Sequence, residues 1–126
     1  MTRRPPFRLG LVLRSAPYAQ RSARTQLDVA LLAATLDCDL RLFFTGAGVM
    51  QLVIRGSTAD AQLPAAYRAW ASLPGLFETA ELRAFAEPSW LERLDSQGLQ
   101  PCLPLEACSV AGMRREWMDC DRVLVL

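Results

Sequence analysis

The sequence predicts a three-layer α/β/α single domain on a mostly parallel sheet of about five strands. Three observations carry that expectation. Short apolar runs resemble strands buried on both faces, stretches of helical period alternate with them, and 126 residues suit one core rather than two. Residues 1–126 are therefore expected to form one domain, with residues 1–7 as a flexible basic arm.

Arg8 to Leu13 reads as the first strand, stopped by Ser15-Ala16-Pro17 because proline cannot continue a ladder. From Ser22, an expected N-cap, the period becomes helical, with Ala23, Leu27, Ala30, Leu31 and Ala34 on one stripe. Asp39 to Phe44 is the second strand, and a helical crossover between two strands favours parallel pairing. Residues 59–73 are expected to be helical with Leu63, Ala66, Tyr67 and Trp70 on one side, and residues 81–86 form a weaker strand. Ser89 is expected to cap a helix that Gly98 ends. Residues 99–105, broken by two prolines, could only be an edge strand. A last helix over residues 109–118 and a last strand over 122–126 complete about five strands and five helices. Leu9, Leu11, Leu13, Leu42, Phe44, Val123 and Val125 are expected in the core, and Phe43, Phe44, Tyr67, Trp70, Phe85 and Trp117 as packing aromatics.

Composition removes whole classes of chemistry. Histidine is absent, so Ser-His-Asp triads, Cys-His pairs and histidine-ligated metals are excluded. The net charge of +1 gives no general pull towards nucleic acid or an anionic membrane. Charge is unevenly spread, however: the six arginines before Asp28 give +6, leaving −5 on the remainder. A solvated basic arm explains this, as does complementary docking onto a partner. Apolar runs fall far short of the ~18 residues of a membrane span, and the apolar stretch after Arg3-Arg4 is too short for a secretory leader. A cytoplasmic location is expected, with no direct nucleic-acid or membrane partner. Gly46-Ala47-Gly48 lacks the rest of any phosphate-binding fingerprint and reads as a tight turn. No metal, flavin or nucleotide cofactor is expected.

Four cysteines, Cys38, Cys102, Cys108 and Cys120, form no Cys-x-x-Cys pair and are expected to be small buried hydrophobes. Asp37, Asp39, Asp119 and Asp121 flank Cys38 and Cys120, a setting that raises a thiol pKa. Cys102 and Cys108 lie near the helix start at Ser109, where a helix dipole could favour a thiolate, so they are the two candidates for a reactive thiol.

Several features together resemble a known family. Ala16-Pro17-Tyr18 follows the first strand, and Leu27-Asp28 lies in the helix. Phe43-Phe44 then precedes Gly48-Val49-Met50-Gln51-Leu52, and Leu73-Pro74-Gly75-Leu76-Phe77 follows. Leu105-Glu106 and Asp119-Cys120-Asp121 close the pattern. In these the chain is similar to the TusC/DsrF branch of the DsrE/DsrF/DsrH sulfur-transfer proteins. The resemblance implies a subunit of a heterohexameric sulfur-relay complex with two copies each of three related chains, its partners being TusB/DsrH-like and TusD/DsrE-like. Such complexes take persulfide sulfur from a small sulfurtransferase and pass it to a downstream acceptor. The purpose is 2-thiolation of tRNA wobble uridine or, alternatively, intracellular sulfur oxidation.

The family's sulfur-carrying cysteine belongs to the TusD/DsrE-type subunit. The matching segment here, Phe85-Ala86-Glu87-Pro88-Ser89, has no cysteine, and the family commonly has Asp where Ala47 stands. The resemblance thus implies a non-catalytic structural subunit, with Val49, Met50 and Leu52 expected in its partner interface. Two alternatives stand beside it: a persulfide carrier using Cys102 or Cys108, and a stand-alone small-molecule-binding domain using the cleft at the strands' C-terminal ends.

Overall fold

The structure, a computed structural model, describes residues 6–14, 21–54, 66–77 and 80–126. Strand β1 (Arg8–Leu13) leads to helix α1 (Arg21–Thr35), β2 (Asp39–Phe44) and a 3-10 helix at Gly46–Leu52. Helix α2 (Ala66–Ser72) runs into a second 3-10 turn at Leu73–Leu76, then come β3 (Leu82–Ala86), α3 (Pro88–Ser96), β4 (Glu106–Ala107), α4 (Val110–Met118) and β5 (Arg122–Val125). The strands form one sheet in the order β4-β3-β2-β1-β5, and every ladder is parallel.

That order explains how the helices are shared out. From β1 to β4 the chain steps across the sheet in one direction, and right-handed crossovers then place every intervening helix on one face. The return from β4 to β5 runs the other way and puts α4 on the opposite face. On the first face Leu11, Leu13, Leu40, Leu42, Phe44, Ala84 and Ala86 pack with Ala30, Ala33 and Ala34 of α1, Trp70 of α2 and Leu94 of α3. The alanines bring α1 close to the strands, and Trp70 meets Phe44 edge-on at 5.6 Å. On the second face Val12, Phe43 and Phe85 lie under Met113 and Trp117 of α4. Phe43 stacks on Phe85 at 5.1 Å and receives Trp117 edge-on at 6.0 Å.

This second face also carries charge. Arg41, buried in β2, pairs with Glu81 at 3.0 Å. Arg83 of β3 binds Glu106 of β4 through two parallel bonds, Nε to Oε2 at 2.9 Å and a terminal nitrogen to Oε1 at 2.8 Å. The bidentate pair holds the Arg83 pKa up and that of Glu106 below the usual carboxylate range.

Several expectations are corrected. Val125 is 58% exposed and Val123 only partly buried, because β5 is an edge strand that α4 covers incompletely; Leu9, near the start of β1 on the other face, is also only partly buried. Ser89 is not a cap: Glu87 is the N-cap and Pro88 takes the first helical position, where its missing N–H costs nothing. Helix α1 already includes Ser22. Gly98 does end α3, at φ +67°, with Leu99 N–H bonded to Leu94 O at 2.9 Å and Gly98 N–H to Asp95 O at 3.0 Å. Residues 99–105 are not a strand; they make one antiparallel bridge, Val53 with Pro101, and β4 begins only at Glu106. The expected helix over 59–73 is found from Ala66, and its earlier positions and the Tyr67 side chain lie outside the described residues. Of the basic end, Phe7 is tied to β2 through Asp39 N–H at 2.9 Å, and Arg8 stands in β1.

Candidate functional site

Open parallel sheets place their ligand sites beyond the C-terminal strand ends. Here that edge is formed by Leu13, Phe44, Ala86 and Ala107 with the segments that follow them. After β2 the chain turns back at once. Gly46 adopts φ +52°, and Thr45 N–H bonds Leu13 O at 3.0 Å. Gly48 lies so close to β1 that a Cβ there would stand 2.1 Å from the Leu13 carbonyl oxygen. Only glycine permits that approach. Val49 and Leu52 consequently turn inward and are fully buried, and Met50 alone of the three is partly open. Val49 and Leu52, two of the three residues expected at a partner interface, are thus part of this chain's own core, since a 3-10 helix over apolar residues points most of them inward.

Two polar contacts organise this edge, and sequence reasoning missed both. Gln51 Nε2–H donates to Gln26 Oε1 of α1 at 2.9 Å, with both side chains buried. A glutamine inside an apolar run was the available signal. Second, the Gly46 N–H donates to Glu87 Oε2 at 2.6 Å, joining the end of β2 to the start of α3. The acid immediately before Pro88 marked that helix start. The carboxylate thus occupies the amide that an anionic ligand would otherwise meet there.

The four thiols are dispersed and all partly buried. Cys102 leaves the sheet edge altogether; its N–H bonds Leu52 O at 2.7 Å, and burial pushes its thiol up to about 11. Cys108 stands at the edge, directly after β4, with its N–H on Ala86 O at 3.0 Å. Its sulfur lies over the first turn of α4, 2.7 Å from where a Cβ on Gly112 would be. Despite that helix start, its pKa is raised by burial and then by Glu116 and Glu106, against smaller opposition from Arg115 and Arg83. Cys120 sits over Gly10 and donates to Glu116 O at 3.5 Å. Its pKa is raised first by burial; Arg41 and Arg8 oppose this, and Asp119 adds only a lesser push. The flanking acids serve the backbone instead: Asp39 accepts from Glu81 N–H at 2.8 Å and Asp121 from Arg8 N–H at 2.7 Å.

The fold is found in known proteins. The profile of the DsrE/DsrF-like family matches residues 8–75, more than half of the chain. The chain belongs to the DsrE/DsrF-like family. Within it, the TusC/DsrF branch is the one supported: over 46 residues the chain is 44% identical to a protein named Protein TusC homolog from Aliivibrio fischeri. That match covers 36% of this chain and 39% of the relative. The crystal structure of the ychN protein from E. coli shares the fold, with a TM-score of 0.66 over 95% of this chain and 99% of that one at 18% identity. The family match runs from β1 through the Gly46–Leu52 turn, where Gly48 and Gln51 have the structural duties just described. Among the described residues no helix is long and apolar enough to cross a membrane, and no group of three or more acidic or cysteine side chains could hold a metal.

Proposed function

We propose that this chain is a non-catalytic subunit of a cytoplasmic sulfur-relay complex of the TusBCD/DsrEFH type. Its partners are TusB/DsrH-like and TusD/DsrE-like chains, and the purpose is thiolation of tRNA wobble uridine, with intracellular sulfur oxidation as the alternative. Sulfane sulfur passes when an acceptor thiolate attacks the terminal sulfur of a donor persulfide, and the donor leaves as a thiolate. The acceptor therefore needs both access and a thiolate. The observation that carries the reading is the junction of β3 and α3: it presents Glu87, bonded to Gly46, and no thiol. Raised pKa values at Cys102, Cys108 and Cys120 add support.

The test is co-expression with the partner chains and replacement of Cys102 and Cys108 together by serine. Sulfur transfer by the assembled complex should stay within a few-fold of wild type, and omission of this chain should abolish it through loss of assembly. A double variant that assembles normally and transfers no sulfur would overturn the reading. The position of Cys108 at the C-terminal sheet edge favours one second reading, a persulfide carrier at Cys108, and the single Cys108→Ser variant separates it from Cys102.

A further inference from the structure

We propose that the edge of β3 is a docking site for an isolated extended segment of a partner protein, apolar in alternate side chains and flanked by a basic residue. Strand β4 is short and stands opposite β3 only at Phe85 and Ala86. In a parallel strand the N–H and C=O of one residue point to the same side, and successive residues alternate. Leu40 N–H bonds Glu81 O on the β2 side, and Cys108 N–H bonds Ala86 O on the β4 side. Leu82 and Ala84 therefore face outward with Ala86. No residue of β4 stands opposite Leu82, which among the described residues has no partner strand on that side. Pro104 accounts for the gap, because a proline cannot supply the next ladder bond and residues 103–105 form no strand.

The space between β3 and that loop is a cleft of about 470 Å³, lined by Pro74, Phe77, Leu82, Leu103 and Leu105. Open ladder groups beside an apolar lining select an extended backbone rather than a helix or a compact ligand. Residues 103–105 wall the outer side, so a strand already built into a sheet, such as β5 of a second copy, does not fit. A loop or chain terminus does. Charge completes the description. Glu81 and Glu106 line the same cleft and keep 57% and 50% of their side-chain surface open while bonded to Arg41 and Arg83. Arg83, which also lines the cleft, takes both oxygens of Glu106, so it is the second oxygen of Glu81 that suits a lysine or arginine beside the docked strand.

This inference does not depend on the sulfur-relay reading, and its test uses neither partners nor sulfur. The probe is a capped short peptide, lysine followed by alternating valine and threonine, titrated into the full-length protein and followed by amide NMR. Shifts should centre on Leu82, Ala84 and Leu103. Methylating alternate peptide nitrogens should weaken binding about tenfold, the scale of lost hydrogen bonds. Leu105→Lys should weaken it similarly with thermal stability retained, and exchanging the peptide's lysine for glutamate should also weaken it. The proposal is overturned if millimolar peptide moves no amide of the folded protein. Equal binding of the methylated peptide overturns it too, as does a concentration-dependent dimer of the protein alone that moves the same amides.

Discussion

The β3–α3 and β4–α4 junctions lie side by side on one sheet edge and are built alike, with an alanine ending each strand and a helix starting within three residues. Their chemistry differs. The first presents Glu87, an N-cap whose side chain makes no bond to its own helix and reaches Gly46 N–H across the edge. The second presents Cys108 beside Ser109, a conventional cap whose Oγ accepts from Gly112 N–H at 3.1 Å. A thiol at a helix start is usually favoured as thiolate. Here burial and the carboxylates of Glu116 and Glu106 outweigh that setting. The pair teaches that a helix start at the sheet edge does not by itself favour a thiolate; burial first, and then the charges around the thiol, set the direction of its pKa.

The largest expected effect breaks the platform both junctions share. Gly48→Ala must displace either β1 or the Gly46–Leu52 turn, because its Cβ would meet backbone rather than a movable side chain. We expect a loss of roughly 3 kcal/mol or more in urea denaturation. Gly75→Ala, whose Cβ meets nothing within 4 Å, should stay within about 0.5 kcal/mol of wild type.

Cys102 supplies the limit set by burial away from both junctions. With its pKa at about 11, alkylation at neutral pH should be roughly a hundredfold slower than for an exposed cysteine. The folded pKa lies above the unfolded one, so this thiol's contribution to stability is complete below about pH 8.5. It is lost as pH rises towards 11. Cys102→Ser should flatten that alkaline decline, measured as urea midpoints across the window.

Next comes the first junction itself. Glu87→Ala leaves the Gly46 N–H without its partner in a partly buried setting, a loss of about 1–3 kcal/mol. Glu87→Gln retains an acceptor oxygen and should recover most of it. Equal losses in the two variants would show that the contact acts through charge at the α3 start rather than through the bond to Gly46.

Much of the scaffold was legible because β1, β2 and β3 are buried on both faces and their apolar runs have no solvent-facing alternative. The outer strands were harder. Glu106-Ala107 has no apolar signal of its own and becomes a strand only through its register with β3, whereas the more apolar 99–105 is excluded by its prolines. Val125 misleads for the opposite reason, being apolar by composition but lying where the α4 layer stops. At the candidate site, the inward turn of Val49 and Leu52 depends on Gly48 meeting Leu13, a contact 35 residues distant. The Gln26–Gln51 and Gly46–Glu87 bonds join segments 25 and 41 residues apart. Local periodicity contains no record of such pairings. The Pro88 position was readable and points to Glu87 rather than Ser89 as the cap.

The smallest expected effect sharpens the second junction. Glu116 is the leading charge that raises the Cys108 pKa, and it also approaches Arg83 at 3.8 Å. Glu116→Gln removes a repulsion from the thiolate and leaves Arg83 with less competition, so both changes lower the Cys108 pKa. The Glu116 side chain keeps 30% of its surface exposed, so solvent partly screens the effect. We therefore expect only about a two- to fivefold rise in Cys108 alkylation at neutral pH, a fraction of one pKa unit. Peptide-resolved mass spectrometry separates Cys108 from the other thiols, and the pH–rate profile should move to lower pH without a change in its plateau. An unmoved profile would mean that burial alone silences Cys108. In that event the two junctions differ in solvent access rather than in charge.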